Sequence, residues 1–113
     1  MQNYNNLTRT QLLYGSNEEN EVGRQIKYLG GTRVLLHYSK NINNLNNLLD
    51  KIKRSLRLTG LDFVELSDDD AKTPKIDTIF KGIKICREEN VDFVLAVGGI
   101  NEFTIAKLIA VAS

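Results

Sequence analysis

The stretch from Val91 to Ser113 constrains the fold of this chain more than any other. It begins with an apolar run of strand length, 93–97, which is followed by Gly98 and Gly99 and then by an apolar segment of helical length that starts near Asn101. This order predicts a strand, a glycine turn and a helix. Such a turn can hold a ligand phosphate, because the first helical turn leaves backbone N–H groups unpaired at the positive end of the helix dipole. Many strand-to-helix turns carry glycine only to make the turn, so both interpretations stay open.

Two further apolar runs predict buried strands upstream, at 34–36 and at 63–66, and a shorter strand is expected around Leu12-Leu13-Tyr14. Helices are predicted between the strands, starting at the cap Asn17, after the polar loop 39–44 and at Thr73-Pro74. The residues expected on their apolar faces are Val22, Ile26 and Leu29 in the first helix, Leu45, Leu48, Leu49, Ile52 and Leu56 in the second, and Ile76, Ile79, Phe80, Ile83 and Cys86 in the third. We expect Gly30-Gly31 to end the first of these helices, Gly60 the second and Asn90 the third.

The regular alternation of strands and helices predicts an α/β fold with a parallel sheet and helices on both faces. Sheets of this kind bind ligands at the carboxyl ends of their strands, near a switch in strand order. Two loops are therefore candidates, the segment 37–41 after the first core strand and the segment 98–101 after the third. The single histidine, His37, is interpreted either as a nucleotide contact or as a structural or exposed residue.

Composition limits the function classes. The 113 residues predict one domain, and the net charge of +1 argues against a nucleic-acid binder that works by bulk electrostatics. The single cysteine excludes an internal disulfide framework, and its place in a helical stripe predicts a small buried hydrophobe. The first ten residues lack the apolar core of a signal peptide, and no run reaches the length of a membrane span. We expect a cytoplasmic protein without nucleic-acid or membrane partners.

An acidic loop offers one alternative site. Asp68-Asp69-Asp70 follow the second core strand and could hold Mg²⁺, although consecutive loop carboxylates are usually only solvated.

Several stretches resemble the N-terminal part of the iron-containing (group III) alcohol dehydrogenase family, and in particular its NADH-dependent butanol dehydrogenase branch. They are LLYG at 12–15, VLLHY at 34–38, GLDFVEL at 60–66 and GIKICREENVDFVLAVGG at 82–99, with Ala106-Lys107 and Ile109-Ala110 continuing the match. The last long stretch is the most specific, because the family typically reads VDFILAVGGGSVID there. The resemblance covers nearly the whole chain. It implies a Rossmann-like nucleotide domain, with residues 1–113 forming an incomplete version of the family's N-terminal domain.

The resemblance also implies site residues. The pyrophosphate of NAD(H) or NADP(H) would lie at the glycine turn, with Gly98, Gly99 and Asn101 as contacts and with Ser39 and Asn41 in the second loop. This chain departs from the family pattern at Ile100, where a glycine is usual, at Asn101 instead of serine and at Thr104 instead of aspartate. We expect the branched side chain of Ile100 to hinder docking of the cofactor, whereas Asn101 could still cap the helix and donate a hydrogen bond. Lys40 could contact a 2′-phosphate, and NAD versus NADP stays open.

Length is the largest departure from the family. Family members carry a helical C-terminal domain that supplies an aspartate and three histidines to the catalytic metal, and we expect that domain to be absent here. The chain is then a nucleotide-binding fragment without catalytic residues and without iron or zinc. The final helix, 101–112, is apolar nearly all round, which predicts that a second copy or a missing C-terminal half covers it. The alternative is an interaction module without enzymatic activity on the same fold, whose nucleotide site has decayed.

Overall fold

The fold alternates strands and helices throughout the part of the chain that the computed structural model describes, which is residues 9–13, 20–68 and 75–112. The elements in chain order are β1 Arg9–Leu13, α1 Val22–Tyr28, β2 Arg33–Ser39, α2 Leu45–Leu58, β3 Asp62–Asp68, α3 Lys75–Glu88, β4 Phe93–Val97 and α4 Ile100–Ala112. The predicted order of elements is therefore confirmed. The predicted helix starts at Asn17 and at Thr73-Pro74 lie outside the described residues.

The four described strands form one parallel sheet in the order β1-β4-β2-β3. The two central strands are β2 and β4, and each pairs on both sides: Leu36, for example, lies opposite Leu95 of β4 and Glu65 of β3. The chain crosses from β2 to β3 in one direction and from β3 back past β2 to β4 in the other. The α/β fold with a parallel, Rossmann-like sheet, expected from the alternation and the family resemblance, is confirmed.

The sheet separates two apolar layers. Helices α1 and α2 pack on one face and helices α3 and α4 on the other. Successive residues of β2 point to opposite faces, so Val34 and Leu36 belong to the α1–α2 layer and Leu35 to the α3–α4 layer, and all three are fully buried. Burial on both faces explains why this strand reads as a continuous apolar run and not as an alternating one.

Three helices end at a residue with positive φ, as the sequence predicted. These residues are Gly30 after α1, Gly60 after α2 and Asn90 after α3. In each case the N–H of the next residue donates to a carbonyl five residues back, for example from Leu61 to Leu56 at 2.9 Å. This is the bonding of a Schellman motif, which satisfies the last carbonyl groups of a helix and turns the chain toward the next strand.

The predicted apolar face of α3 is wrong at two positions. Ile76 and Phe80 are 53% and 63% exposed, whereas Thr78, Gly82 and Cys86 are buried. Helix α4 packs so closely on α3 that a Cβ at Gly82 would overlap the side chain of Ile109. The contact face therefore runs through a glycine and a threonine, which a count of large apolar residues misses. Leu29 is also 38% exposed, because it lies just past the end of α1.

Candidate functional site

The two loops that the sequence singled out lie at one edge of the sheet. Tyr38 of β2 is in register with Val97 of β4, so the turn after each strand begins at the same level. Helix α2, which follows β2, packs on one face of the sheet, and α4, which follows β4, packs on the other. The chain thus leaves two neighbouring strands toward opposite faces, and this switch point is where open α/β sheets form a ligand crevice.

The glycine turn after β4 needs glycine at its first position. Gly98 has a φ of +143°, a conformation that residues with a Cβ rarely adopt. A Cβ at Gly98 would also lie 3.0 Å from the Cδ and 3.1 Å from the Cγ atom of Glu102, which is closer than van der Waals contact allows. The requirement differs at Gly99, where a Cβ would meet only the Oε1 atom of Glu102, at an ordinary 3.9 Å. The backbone at Gly99 is therefore open to approach on that side.

A carboxylate occupies the N-terminal end of α4. The backbone N–H of Gly99 donates to the Oε1 atom of Glu102 at 2.8 Å. Gly99 is the residue before the helix and Glu102 is the third residue inside it, so the contact is one half of a capping box. Sequence reasoning missed this residue. The signal was present, since a glutamate three residues after a helix N-cap is the usual spacing for this interaction.

The residues that depart from the family pattern lie within the first five residues of α4. Asn101 is the second residue of the helix and is exposed, so the expectation that it caps the helix is wrong, because Gly99 holds the N-cap position. Ile100, the first residue of the helix, is 66% exposed. The hydroxyl of Thr104 donates to the carbonyl of Ile100 at 2.8 Å, which is a contact within the helix.

The loop after β2 is shaped by a serine side chain. The backbone N–H of Asn41 donates to the Oγ atom of Ser39 at 3.2 Å, which closes a tight turn directly after the strand. Ser39 is half-buried, while Lys40 and Asn41 are exposed. The proposed contacts Ser39 and Asn41 therefore lie at the same edge of the sheet as Gly98 and Gly99. The serine turn follows β2 and the glycine turn follows β4, so the two turns lie on either side of the switch point.

His37 lies inside β2 and not at the end of the strand. Its side chain is fully buried, and its Nδ1 atom is 3.0 Å from the backbone carbonyl of Leu66 in the neighbouring strand. A carbonyl oxygen only accepts, so this geometry assigns the N–H to Nδ1. The environment favours the structural interpretation of this histidine over a nucleotide contact.

A polar cluster of Tyr38, Glu65 and Lys53 lies on the face of the sheet that α2 covers. The Tyr38 hydroxyl donates to Oε1 of Glu65 at 3.0 Å, and Oε2 of Glu65 lies 3.0 Å from Nζ of Lys53. Burial raises the pKa of the Tyr38 phenol above its usual range, and the hydrogen bond and negative charge of Glu65 raise it further. The folded state therefore holds this proton more tightly than the unfolded chain, so the contribution to stability is present below pH 10 and is lost as the pH rises through the folded-state pKa.

Replacing Glu65 with glutamine is expected to lower the pKa of Tyr38, because the substitution removes the negative charge beside the phenol. The tyrosinate absorbance measured against pH, with the Tyr38→Phe variant identifying the Tyr38 component, checks this. Glu88→Gln is the matched control, because Glu88 is exposed on α3 on the opposite face of the sheet. An unchanged Tyr38 titration in Glu65→Gln would contradict the prediction.

Two further kinds of site, a metal centre and a membrane span, are not found among the described residues. Within 9–13, 20–68 and 75–112, no three side chains of the His, Cys, Asp and Glu types come together as a metal site. The alternative magnesium site at Asp68–Asp70 falls largely outside these ranges, since Asp69 and Asp70 are not described. None of the helices in the described ranges is both long and apolar enough to cross a membrane.

Comparisons with known proteins agree with this architecture. The sequence model of the family "Iron-containing alcohol dehydrogenase" matches residues 9–113. NADH-dependent butanol dehydrogenases A and B of Clostridium acetobutylicum are 38% and 36% identical to this chain over 101 and 103 residues, which are 89% and 91% of the chain. These matches cover 25% and 26% of the relatives, so the chain spans about a quarter of their length.

Solved structures give the same result. NADH-dependent butanol dehydrogenase A of Thermotoga maritima superposes with a TM-score of 0.74 at 25% identity, and the match covers 90% of this chain and 25% of that one. An iron-containing alcohol dehydrogenase of Thermococcus thioreducens has a TM-score of 0.68 at 20% identity, over 90% of this chain and 26% of the other, which supports the fold alone. The sheet, the glycine turn and the matched range together show that this chain belongs to the iron-containing alcohol dehydrogenase family.

Proposed function

We propose that this chain is the nucleotide-binding part of an alcohol dehydrogenase that uses NAD(H) or NADP(H). The observation that carries the proposal is the switch point, where the glycine turn after β4 and the serine turn after β2 follow neighbouring strands at one edge of the sheet. The relatives are named both as NADH-dependent butanol dehydrogenases and, at 31% identity, as an NADPH-dependent aldehyde reductase of Escherichia coli. Both dinucleotides are therefore candidate ligands.

The residues at the switch point suit the diphosphate of a dinucleotide. The first turn of α4 presents backbone N–H groups at the positive end of a 13-residue helix, and Gly99 leaves open space above its Cα atom. Ser39 and Asn41 add a hydroxyl and an amide on the other side of the crevice. The exposed ammonium group of Lys40 lies in the same turn, where it would attract the negative charge of the ligand.

We further propose that this chain alone binds the nucleotide but does not catalyse. The family resemblance assigns the metal ligands to an aspartate and three histidines of a helical domain, whereas this chain has a single histidine. That histidine, His37, is fully buried in β2, and among the described residues it is not part of a group of three His, Cys, Asp or Glu side chains that could hold a metal.

A titration of the purified chain with NADH and with NADPH tests the proposal. A ligand that binds only the folded state stabilises it, so the melting temperature is expected to rise with ligand concentration. At a ligand concentration of a hundred times Kd, the free energy of unfolding should be larger by about 2.7 kcal/mol. The rise should disappear in Gly99→Leu, whose side chain fills the open space at the turn. Ala112→Leu is the control, because it adds the same side chain at an exposed position at the far end of α4. A folded chain that responds to neither dinucleotide would contradict the proposal.

The exposed surface of α4 favours a second candidate function, an interaction module. Leu108 and Val111 are 49% and 78% exposed although the opposite face of the helix is buried in the core. A second copy of the chain or a C-terminal half would remove these apolar side chains from water. A stable homo-oligomer in sedimentation experiments, together with no affinity for either dinucleotide, would favour this function over the first.

A further inference from the structure

We propose that Glu102 is an internal anion that occupies the glycine turn and must swing away before a nucleotide phosphate can bind there. The inference rests on the proposed nucleotide-binding function and adds a residue that limits affinity for phosphate-bearing ligands. It concerns a side chain that neither the glycine motif nor the second loop includes.

Two contacts place the carboxylate in the turn. The Oε1 atom accepts the N–H of Gly99 at 2.8 Å, and that N–H belongs to the backbone expected to face a phosphate. The same side chain covers Gly98, since its Cγ and Cδ atoms lie 3.1 and 3.0 Å from the position of a Cβ at that residue. Glu102 therefore accepts the N–H of Gly99 and fills the space beside the Cα atom of Gly98.

Local physical chemistry explains why the carboxylate lies there. Glu102 is the third residue of α4, the position from which a glutamate reaches back to the N-cap residue, and its charge is favourable at the positive end of the helix dipole. A phosphate would be drawn to the same place for the same reasons. Only one of the two anions can accept the Gly99 N–H, and two negative charges within a few ångströms disfavour each other.

Glu102 can leave the turn without unfolding the helix. The residue is only half-buried and lies in the first turn, so a change of side-chain rotamer would carry the carboxylate into solvent. Binding of a dinucleotide would then include the loss of the Glu102–Gly99 hydrogen bond, which weakens the measured affinity. Removing the charge or the side chain should strengthen it.

The test compares four proteins and three ligands. Wild type, Glu102→Gln, Glu102→Ala and the control Glu88→Gln are titrated with NADH, NADPH and adenosine, after their melting curves have shown that each is folded. Glu102→Gln removes the charge but keeps an oxygen that can accept the Gly99 N–H, whereas Glu102→Ala also empties the space. Glu88→Gln makes the same change in net charge at an exposed position of α3. We expect both Glu102 variants to bind the dinucleotides about tenfold more tightly or better, which corresponds to about 1.4 kcal/mol. Adenosine, which has no phosphate, should show no change.

Each outcome decides the matter. Dinucleotide binding that is detectable in the wild type and strengthens in the Glu102 variants but not in Glu88→Gln supports the inference. Equal binding by wild type and both variants overturns the inference and leaves the proposed function standing. Stronger binding in Glu88→Gln as well, or a parallel gain for adenosine, overturns it by pointing to net charge or to a rearranged pocket. Absence of binding in all four folded proteins overturns both the inference and the proposed function.

Discussion

Replacing Phe93 with alanine is expected to lower the free energy of unfolding by about 3–5 kcal/mol, the range measured when a buried aromatic ring is truncated. Phe93 is fully buried in β4, a strand that pairs on both sides, and its ring belongs to the layer beneath α1 and α2. The backbone cannot collapse into the cavity, because both neighbouring strands hold β4 in register. Small domains have about 5–15 kcal/mol of stability in total, so the loss would bring this chain close to unfolding.

Urea denaturation followed by circular dichroism measures this effect, and Phe80→Ala is the matched control. The Phe80→Ala variant removes the same ring, but Phe80 is 63% exposed on α3. Its replacement is therefore expected to change the free energy of unfolding by less than about 0.5 kcal/mol. Similar losses in the two variants would contradict the burial pattern, because they would place Phe80 in the core as the apolar spacing of α3 first indicated.

The fold was predictable because each strand and helix has a recognisable local sequence pattern. A strand buried on both faces reads as an unbroken apolar run, as at 34–36, and a helix that ends in a left-handed residue carries glycine or asparagine there, as at Gly60 and Asn90. Strand order needed the family resemblance or the structure, because the apolar runs do not say which strands are neighbours. The face of α3 was mistaken at Phe80 because the sequence does not show that α4 packs against Gly82.

The candidate site was predictable in position but not in chemistry. Parallel strands place their following loops at one edge, so the sequence alone brings Ser39 and Gly98 to neighbouring places once the sheet is assumed. The occupant of the glycine turn is a side chain whose direction depends on the rotamer of Glu102 and on the exact start of α4. The family pattern points to Ile100 as the departure at this turn, whereas the side chain that contacts the turn backbone is that of Glu102, two residues later.

The second large effect is expected at Gly23, where α1 and α2 are in close contact. The N–H of Gly23 donates to the Oγ atom of Ser55 at 2.9 Å, and that hydroxyl donates in turn to the carbonyl of Asn20 at 3.2 Å. A Cβ at Gly23 would lie 2.8 Å from the backbone carbonyl carbon of Ser55 and would overlap its oxygen and the Oγ1 atom of Thr59. Two of these obstacles are backbone atoms of α2, which cannot rotate away as the end of a side chain can.

Replacing Gly23 with alanine is therefore expected to lower the free energy of unfolding by about 2 kcal/mol or more, although alanine gains up to about 1 kcal/mol in helix propensity. Urea denaturation measures the change, and Gly99→Ala is the matched control, since the added Cβ there meets an atom only at 3.9 Å. Adding Thr59→Ala to the Gly23 variant removes the Oγ1 atom but leaves the Ser55 carbonyl in place. We expect it to restore little of the lost stability, because the backbone contact persists. Full recovery of stability in the double variant would show that α1 and α2 are in contact only through side chains. A Gly23→Ala variant as stable as the wild type would show that the two helices are farther apart than the hydrogen bond from Gly23 to Ser55 requires.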